Sequence, residues 1–196
     1  MLIIIGLSCL LLSSCSYYEN LKLRRMVKNN YGKVLDFSWP GYQILEDTIL
    51  TDFKIDKPIT IVSHIYGALC EECFANYLRT AEKYVYSFHS DSVQYVCITY
   101  PRPIENVQYA VKLAGVDPSK VMVVYDSEDL YLENNSITQL ESGLNAFLID
   151  KQHKVLLLGD PLRLESMYRI SKTTIDRMLY ESCGGKRDLN INSYHF

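Results

Sequence analysis

The sequence predicts an α/β fold: a mixed central sheet with helices on both faces and an N-terminal strand extension. Three observations carry that expectation. Strand-like and helix-like patterns alternate from Lys57 to Tyr125, a hairpin and a helix close the chain, and 196 residues make room for one well-packed domain and not comfortably two. Hydrophobic residues at 48% and charged residues at 22% are the balance of a globular protein. A net charge of -3, with lysine and arginine scattered, provides no basic stripe to face phosphates, so no nucleic-acid partner is expected. Sixteen tyrosines are many, and half-buried strand positions are their ordinary place.

Taken in order, the chain opens with an apolar run, Leu2 to Leu12, too short to span a bilayer as a helix but fitting the core of a secretory signal. It ends in Leu12-Ser13-Ser14-Cys15, which resembles a bacterial lipobox. That resemblance implies cleavage after residue 14, acylation of Cys15 and a membrane anchor. Several acyl chains, at about 0.8 kcal/mol per buried CH₂, would make the anchor effectively permanent. No lysine or arginine precedes the run, which departs from the usual signal. Residues 15–33 read as a tether with a short basic helix, Leu21 to Lys28, ended by Asn29-Asn30 and Gly32.

The domain is expected over residues 34–180, with a tail at 181–196. Val34 to Phe37 and Thr48 to Phe53 read as two short strands around Pro40-Gly41. Pro58 to Ile65 is a β-branched run suited to a central strand covered on both sides. A turn, Tyr66 to Leu69, leads to Cys70, which opens a helix to about Phe88; Glu71 and Glu72 occupy the first turn, where the helix dipole favours carboxylates. Val93 to Tyr100 reads as strand, Ile104 to Ala114 as helix stopped by Gly115, and Lys120 to Tyr125 as strand. Gly143 to Asp150 and Val155 to Gly159 form a hairpin pattern, and Leu164 to Leu179 a last helix.

A buried strand, an aromatic-containing turn and Cys70-Glu71-Glu72-Cys73 at a helix start, with Phe147-Leu148-Ile149-Asp150-Lys151 and Lys154-Val155 before Gly159-Asp160-Pro161, resemble the thioredoxin superfamily. Within it the chain resembles membrane-anchored thiol-disulfide oxidoreductases of the TlpA and ResA type and lipid-anchored thioredoxin-like proteins of Gram-negative bacteria. The resemblance implies a thioredoxin-like fold and exchange with protein thiols and disulfides of the cell envelope, at the outer membrane, with no cofactor.

A cysteine in the first helical turn lies near unpaired backbone N–H groups that stabilise its thiolate, so Cys70 is the expected attacking sulfur and Cys73 the resolving one. Glu71 and Glu72 place negative charge beside that thiolate, which predicts a reducing rather than strongly oxidising potential. Two positions depart from the superfamily. Leu69 stands where an aromatic usually precedes the first cysteine. Leu144 or Asn145 stands where a cis-proline usually faces the pair, and no proline lies between Pro118 and Pro161. The alternative is a binding module whose disulfide is a staple. A metal site would need Cys97, Cys183 or His64 to join Cys70 and Cys73, and the spacing assembles no such set. A peroxidase would want a Thr-x-x-Cys arrangement that is missing.

Overall fold

A computed structural model describes residues 25–67, 70–137, 145–182 and 184 of the chain. Residues 25–30 are helical (α1). The remaining elements are β1 (Tyr42–Ile44), β2 (Ile49–Leu50), β3 (Ile59–Tyr66), α2 (Glu71–Tyr86), β4 (Val93–Tyr100), α3 (Ile104–Ala114), β5 (Val121–Tyr125), α4 (Leu130–Asn134), β6 (Ala146–Asp150), β7 (Val155–Leu158) and α5 (Glu165–Ser182). The strands form one seven-stranded sheet in the order β2-β1-β5-β4-β3-β6-β7. β3, β4 and β5 run parallel, while β1 and β6 join them antiparallel at either side. This is the mixed α/β architecture that the alternating patterns predict.

Seven of the eight residues of β3 are buried, because it sits between β4 and β6 with both faces covered. Its β-branched side chains divide by parity. Ile59, Ile61 and Ile65 pack with Phe74, Leu78 and Val85 of α2, Val107 and Val111 of α3 and Ile175 of α5. On the other face, Val62 packs with Val96, Ile98, Val124 and Phe147, under Tyr131 of α4 and the extended chain carrying Leu35, Trp39 and Ile55. The three long helices thus share one face of the sheet. The other is covered by α4, by Met26 of α1 and by chain without regular structure.

The N-terminal strand extension is present but differently placed. Of Val34 to Phe37, only Val34 forms a bridge, to Lys154. The expected strand fails because side chains take its backbone groups. Asp36 N donates to Asn135 Oδ1 (2.6 Å), Asn135 Nδ2 donates to Asp36 O (2.8 Å), and Asp36 Oδ1 accepts from Ser38 N (2.8 Å) in a local turn. Of Thr48 to Phe53, only Ile49–Leu50 is strand, and it pairs with Tyr42–Ile44, a strand the sequence reading does not anticipate. The hairpin β6–β7 turns at residues 151–152, and His153 takes a left-handed φ of 61°. Its first residues, 143 and 144, lie outside the described ones, as do the expected signal peptide, Cys15, Leu69, Cys183 and the tail beyond residue 184.

Candidate functional site

β3 runs out at Tyr66 and Gly67, the latter at φ 90°, and the chain re-enters described structure at Cys70. Cys70 is the N-cap of α2: its backbone is extended (φ -62°, ψ 154°), and its Sγ accepts the Cys73 amide at 3.1 Å. A sulfur thus does the work usually given to a serine or aspartate oxygen at this position. Cys70 and Cys73 are joined as a disulfide, with Cα atoms 5.1 Å apart. Both residues are exposed. Glu71 is half-buried and Glu72 exposed, both in the first turn of the same helix.

A residue not anticipated from the sequence brackets this motif. Arg102, between Pro101 and Pro103 after β4, is 9% exposed. Its Nε and Nη2 both donate to Gly67 O, at 3.1 and 2.7 Å, and its guanidinium carbon lies 5.1 Å from the centre of the Phe74 ring. Gly67 and Phe74 stand on either side of the cysteine pair, so one side chain fixes both flanks. Burial draws the Arg102 pKa down, while the fields of Cys97 and Glu71 hold it up. The cation and Glu71 therefore act in opposite directions on a thiolate nearby. A basic residue held between two prolines was the only signal in the sequence.

Asn145, predicted to face the pair, lies opposite the end of β3. His64 N donates to Asn145 O (2.8 Å), and Asn145 Nδ2 donates to His64 O (2.7 Å). This strand entry is held by a side-chain amide, and no peptide bond among the described residues is cis. Leu144, the other residue expected there, lies outside the described residues.

Cys97 is fully buried in β4, receives the Ser63 hydroxyl at 3.6 Å, and has its thiol pushed up to about 12 by burial, so it packs as a small apolar residue. Among the described residues no three histidine, cysteine or acidic side chains are gathered as a metal site. His64 is 5% exposed, and its ring stacks on Tyr131 (5.8 Å between centroids). Its Nε2 lies 3.1 Å from Asp129 Oδ1 without the alignment of a hydrogen bond. Burial is the larger influence on both partners. It draws His64 down to about 4 and, with the field of Asp126, pushes Asp129 up to about 6.

Beneath α2 lies a second polar group. Tyr77 donates to Asp160 Oδ2 (3.0 Å) and shares a 2.7 Å hydrogen bond with Tyr95, whose hydroxyl reaches Asp160 Oδ1 at 3.5 Å. Asp160 is fully buried, accepts Leu162 N at 2.8 Å and has Arg163 Nε at 3.5 Å. Burial raises the Asp160 carboxyl against these partners. Tyr77 is one turn beyond Cys73, so the network ties the cysteine-bearing helix to the start of α5.

No protein-family model matches the sequence, and no curated protein matches it. Several solved structures do match the fold. The chain is similar to the thioredoxin domain of a thiol-disulfide oxidoreductase from Bacteroides vulgatus, with a TM-score of 0.51 and 18% identity over 74% of this chain and 97% of that one. It is similar to a chain provisionally named a protein disulfide isomerase from Bacteroides thetaiotaomicron, with a TM-score of 0.50 and 20% identity over 76% and 89%. A third, provisionally named an electron transfer protein from Aquifex aeolicus, gives a TM-score of 0.51 and 10% identity over 72% and 90%. The chain therefore has a thioredoxin-like fold.

Proposed function

We propose that this chain exchanges thiols and disulfides with proteins of the cell envelope, to which Cys15 anchors it through lipid. The observation that carries the exchange reading is the Cys70–Cys73 disulfide at the N-cap of a sixteen-residue helix, with both cysteines exposed. In the reduced protein the Cys70 thiolate is supported by the helix N-terminus and attacks a substrate disulfide. The bond formed is a mixed disulfide on Cys70, and the leaving thiolate departs with the partner. Cys73, one turn along, then attacks Cys70 and releases the second partner thiol. Two electrons pass to the substrate and the disulfide seen here is restored. The lipid anchor and an outer-membrane location rest on the lipobox-like Leu12-Ser13-Ser14-Cys15 and on nothing further.

A Cys73→Ser variant expressed in cells should accumulate mixed disulfides through Cys70, seen on non-reducing gels, released by reductant and identified by mass spectrometry. An empty trap, together with no reduction of insulin by the purified parent protein, would refute exchange. One observation favours the second reading, a binding module with a structural disulfide. Asn145, one of the two residues aligned with the proline that presents backbone to a substrate in oxidoreductases of this fold, is doubly bonded to His64. That reading predicts a Cys70→Ser protein with its cellular role intact.

A further inference from the structure

The segments that meet beside β7, the last strand of the sheet, gather positive charge in a chain whose net charge is -3. Gly32 N donates to Val155 O (2.8 Å), Val155 N to Lys33 O (2.8 Å) and Leu35 N to His153 O (3.0 Å). His153 Nε2 lies 3.2 Å from Ile55 O. These bonds join residues 25–35, 53–57 and 150–155 at one end of the sheet. Within them Arg25, Lys28, Lys54, Lys151 and Lys154 are exposed, and none of the five is in an ion pair among the described residues. Lys33 is half-buried and bonded to Asn135 O, and Lys57 lies in the field of Asp91. The acids of these segments are Asp56 and Asp150, and Asp150 accepts the amides of Gln152 and Lys154. Asp36 and Asp52 stand just outside.

A second feature is independent of charge. Tyr31 N donates to Val27 O (2.9 Å), so the two side chains stand one helical turn apart, 63% and 41% exposed. Val34, bridged to Lys154, is 61% exposed. Tyr31 is the most exposed large apolar side chain among the described residues. Exposed tyrosine and valine set among unpaired cations suit a bilayer interface, where an aromatic ring sits at headgroup depth and lysine and arginine meet lipid phosphate. Position along the sheet matters as well. Asp150, at the β6–β7 turn, pairs with Ile59 at the start of β3, whereas Cys70 follows Tyr66 at its other end. At about 3.3 Å per residue, the two ends of β3 are roughly 23 Å apart.

We infer that this end of the fold rests on a bilayer surface carrying anionic phospholipid, with Tyr31 and Val34 at headgroup depth and the five exposed cations against phosphate. The cysteine pair then faces away from the bilayer, and its partners reach it from the aqueous side. That the bilayer is the one holding Cys15 rests on the anchor proposed above; the affinity of the folded surface for anionic lipid does not. Cys15 stands ten residues before Arg25, an extended reach of at most about 35 Å. An acyl group there keeps this end of the fold within reach of the headgroups.

The test uses the full-length chain with Cys15→Ser, which carries no acyl group. Its flotation is compared between vesicles of phosphatidylcholine alone and vesicles with about one third phosphatidylglycerol. The apolar run Leu2 to Leu12 acts on both alike, so the readout is the ratio of the two partition coefficients. A net charge of -3 by itself predicts a ratio below one. The basic face predicts a ratio well above one at low salt, falling as salt is raised. Each cation at the surface is worth about fivefold, so Arg25→Gln, Lys28→Gln, Lys151→Gln and Lys154→Gln together should lower the ratio at least about tenfold. Lys83→Gln, Lys112→Gln, Arg169→Gln and Lys172→Gln, an equal change of charge on other faces, should lower it far less. Tyr31→Ser should weaken binding to both vesicles. A ratio near or below one, a ratio that survives the first four substitutions, or an equal fall in the second set would overturn the inference. Mass spectrometry of the unsubstituted protein from cells reads the anchor separately. An unacylated Cys15 with the vesicle preference intact would sink the anchor and support the docking surface.

Discussion

Replacing Arg102 by methionine keeps most of the buried stem but removes two N–H donors and a positive charge from between Gly67 and Phe74. Hydrogen bonds from a charged group contribute about 1.5–3 kcal/mol, and a partly desolvated cation over a ring adds about 0.5–1 kcal/mol. The cost of holding a guanidinium at 9% exposure offsets part of that sum. The expected loss on Arg102→Met is therefore about 2–3 kcal/mol in urea unfolding, followed by the fluorescence of Trp39, the chain's single tryptophan. The same substitution bears on the redox couple. A cation near a thiolate stabilises the reduced state, so its removal should make the potential more negative. If the field is worth about 1 kcal/mol, the shift is about 20 mV. The two measurements close a thermodynamic cycle: the reduced protein must lose more stability than the oxidised protein by the amount that the potential moves. Arg102→Lys should lose stability but keep the potential. If Arg102→Met unfolds within 1 kcal/mol of the parent in both redox states and the potential does not move, the bracketing role is refuted.

Neutralising Glu71 and Glu72 together (Glu71→Gln, Glu72→Gln) should raise the potential by roughly 10–40 mV in a glutathione equilibrium, because charges that keep contact with water each contribute only a fraction of a kcal/mol. A fall in potential would contradict the charge argument. Asp160→Ala should cost about 2–4 kcal/mol, since it leaves Tyr77, Tyr95 and the Leu162 amide without their buried acceptor; a loss below 1 kcal/mol in urea unfolding would show that the network is dispensable. His64 titrates near 6.5 when unfolded and near 4 when folded, so the stability it contributes is complete above pH 6.5 and is lost as pH falls toward 4, by up to about 3 kcal/mol. Asp129, raised to about 6, has the opposite sign and favours the folded state as pH falls from 6 toward 4. The two nearly offset each other in the parent, so His64→Gln should leave stability rising as pH falls from 7 to 4.5, measured by urea midpoints. An unchanged acid slope would place that titration elsewhere.

The elements legible in the sequence are those whose signal is local. Pro58 to Ile65 announced a covered central strand because both of its faces are apolar, and Gly115 marked the end of α3 because its left-handed φ of 59° suits glycine. Cys70 at a helix start was readable from Glu71 and Glu72 in the first turn. What escaped depended on partners distant in the chain. Val34 to Phe37 has the composition of a strand, but Asn135, some hundred residues later, takes the Asp36 backbone groups. At five residues α4 is too short for helical periodicity to show, and it is fixed by Asp126, whose carboxylate receives the amides of Leu130 and Tyr131. Arg102 and Asp160 act through a carbonyl and two phenols on other elements. Asn145 was expected near the cysteines by alignment, but its two bonds to His64 were not legible.

The unequal covering of the sheet has a consequence for how the protein would breathe. On the α2 side, three long helices lock together, with Tyr84 of α2 sharing a 2.6 Å hydrogen bond with Ser171 of α5. On the other side, a five-residue helix and irregular chain lie over the strands, held in part by single side chains such as Asn135. Opening events of low free energy therefore belong to the second side, and backbone amides in residues 33–56 and 126–137 should exchange with solvent before those of α2. The cysteines lie in the stiffer half, at the start of α2. Opening on the softer side therefore leaves the spacing of the two sulfurs undisturbed.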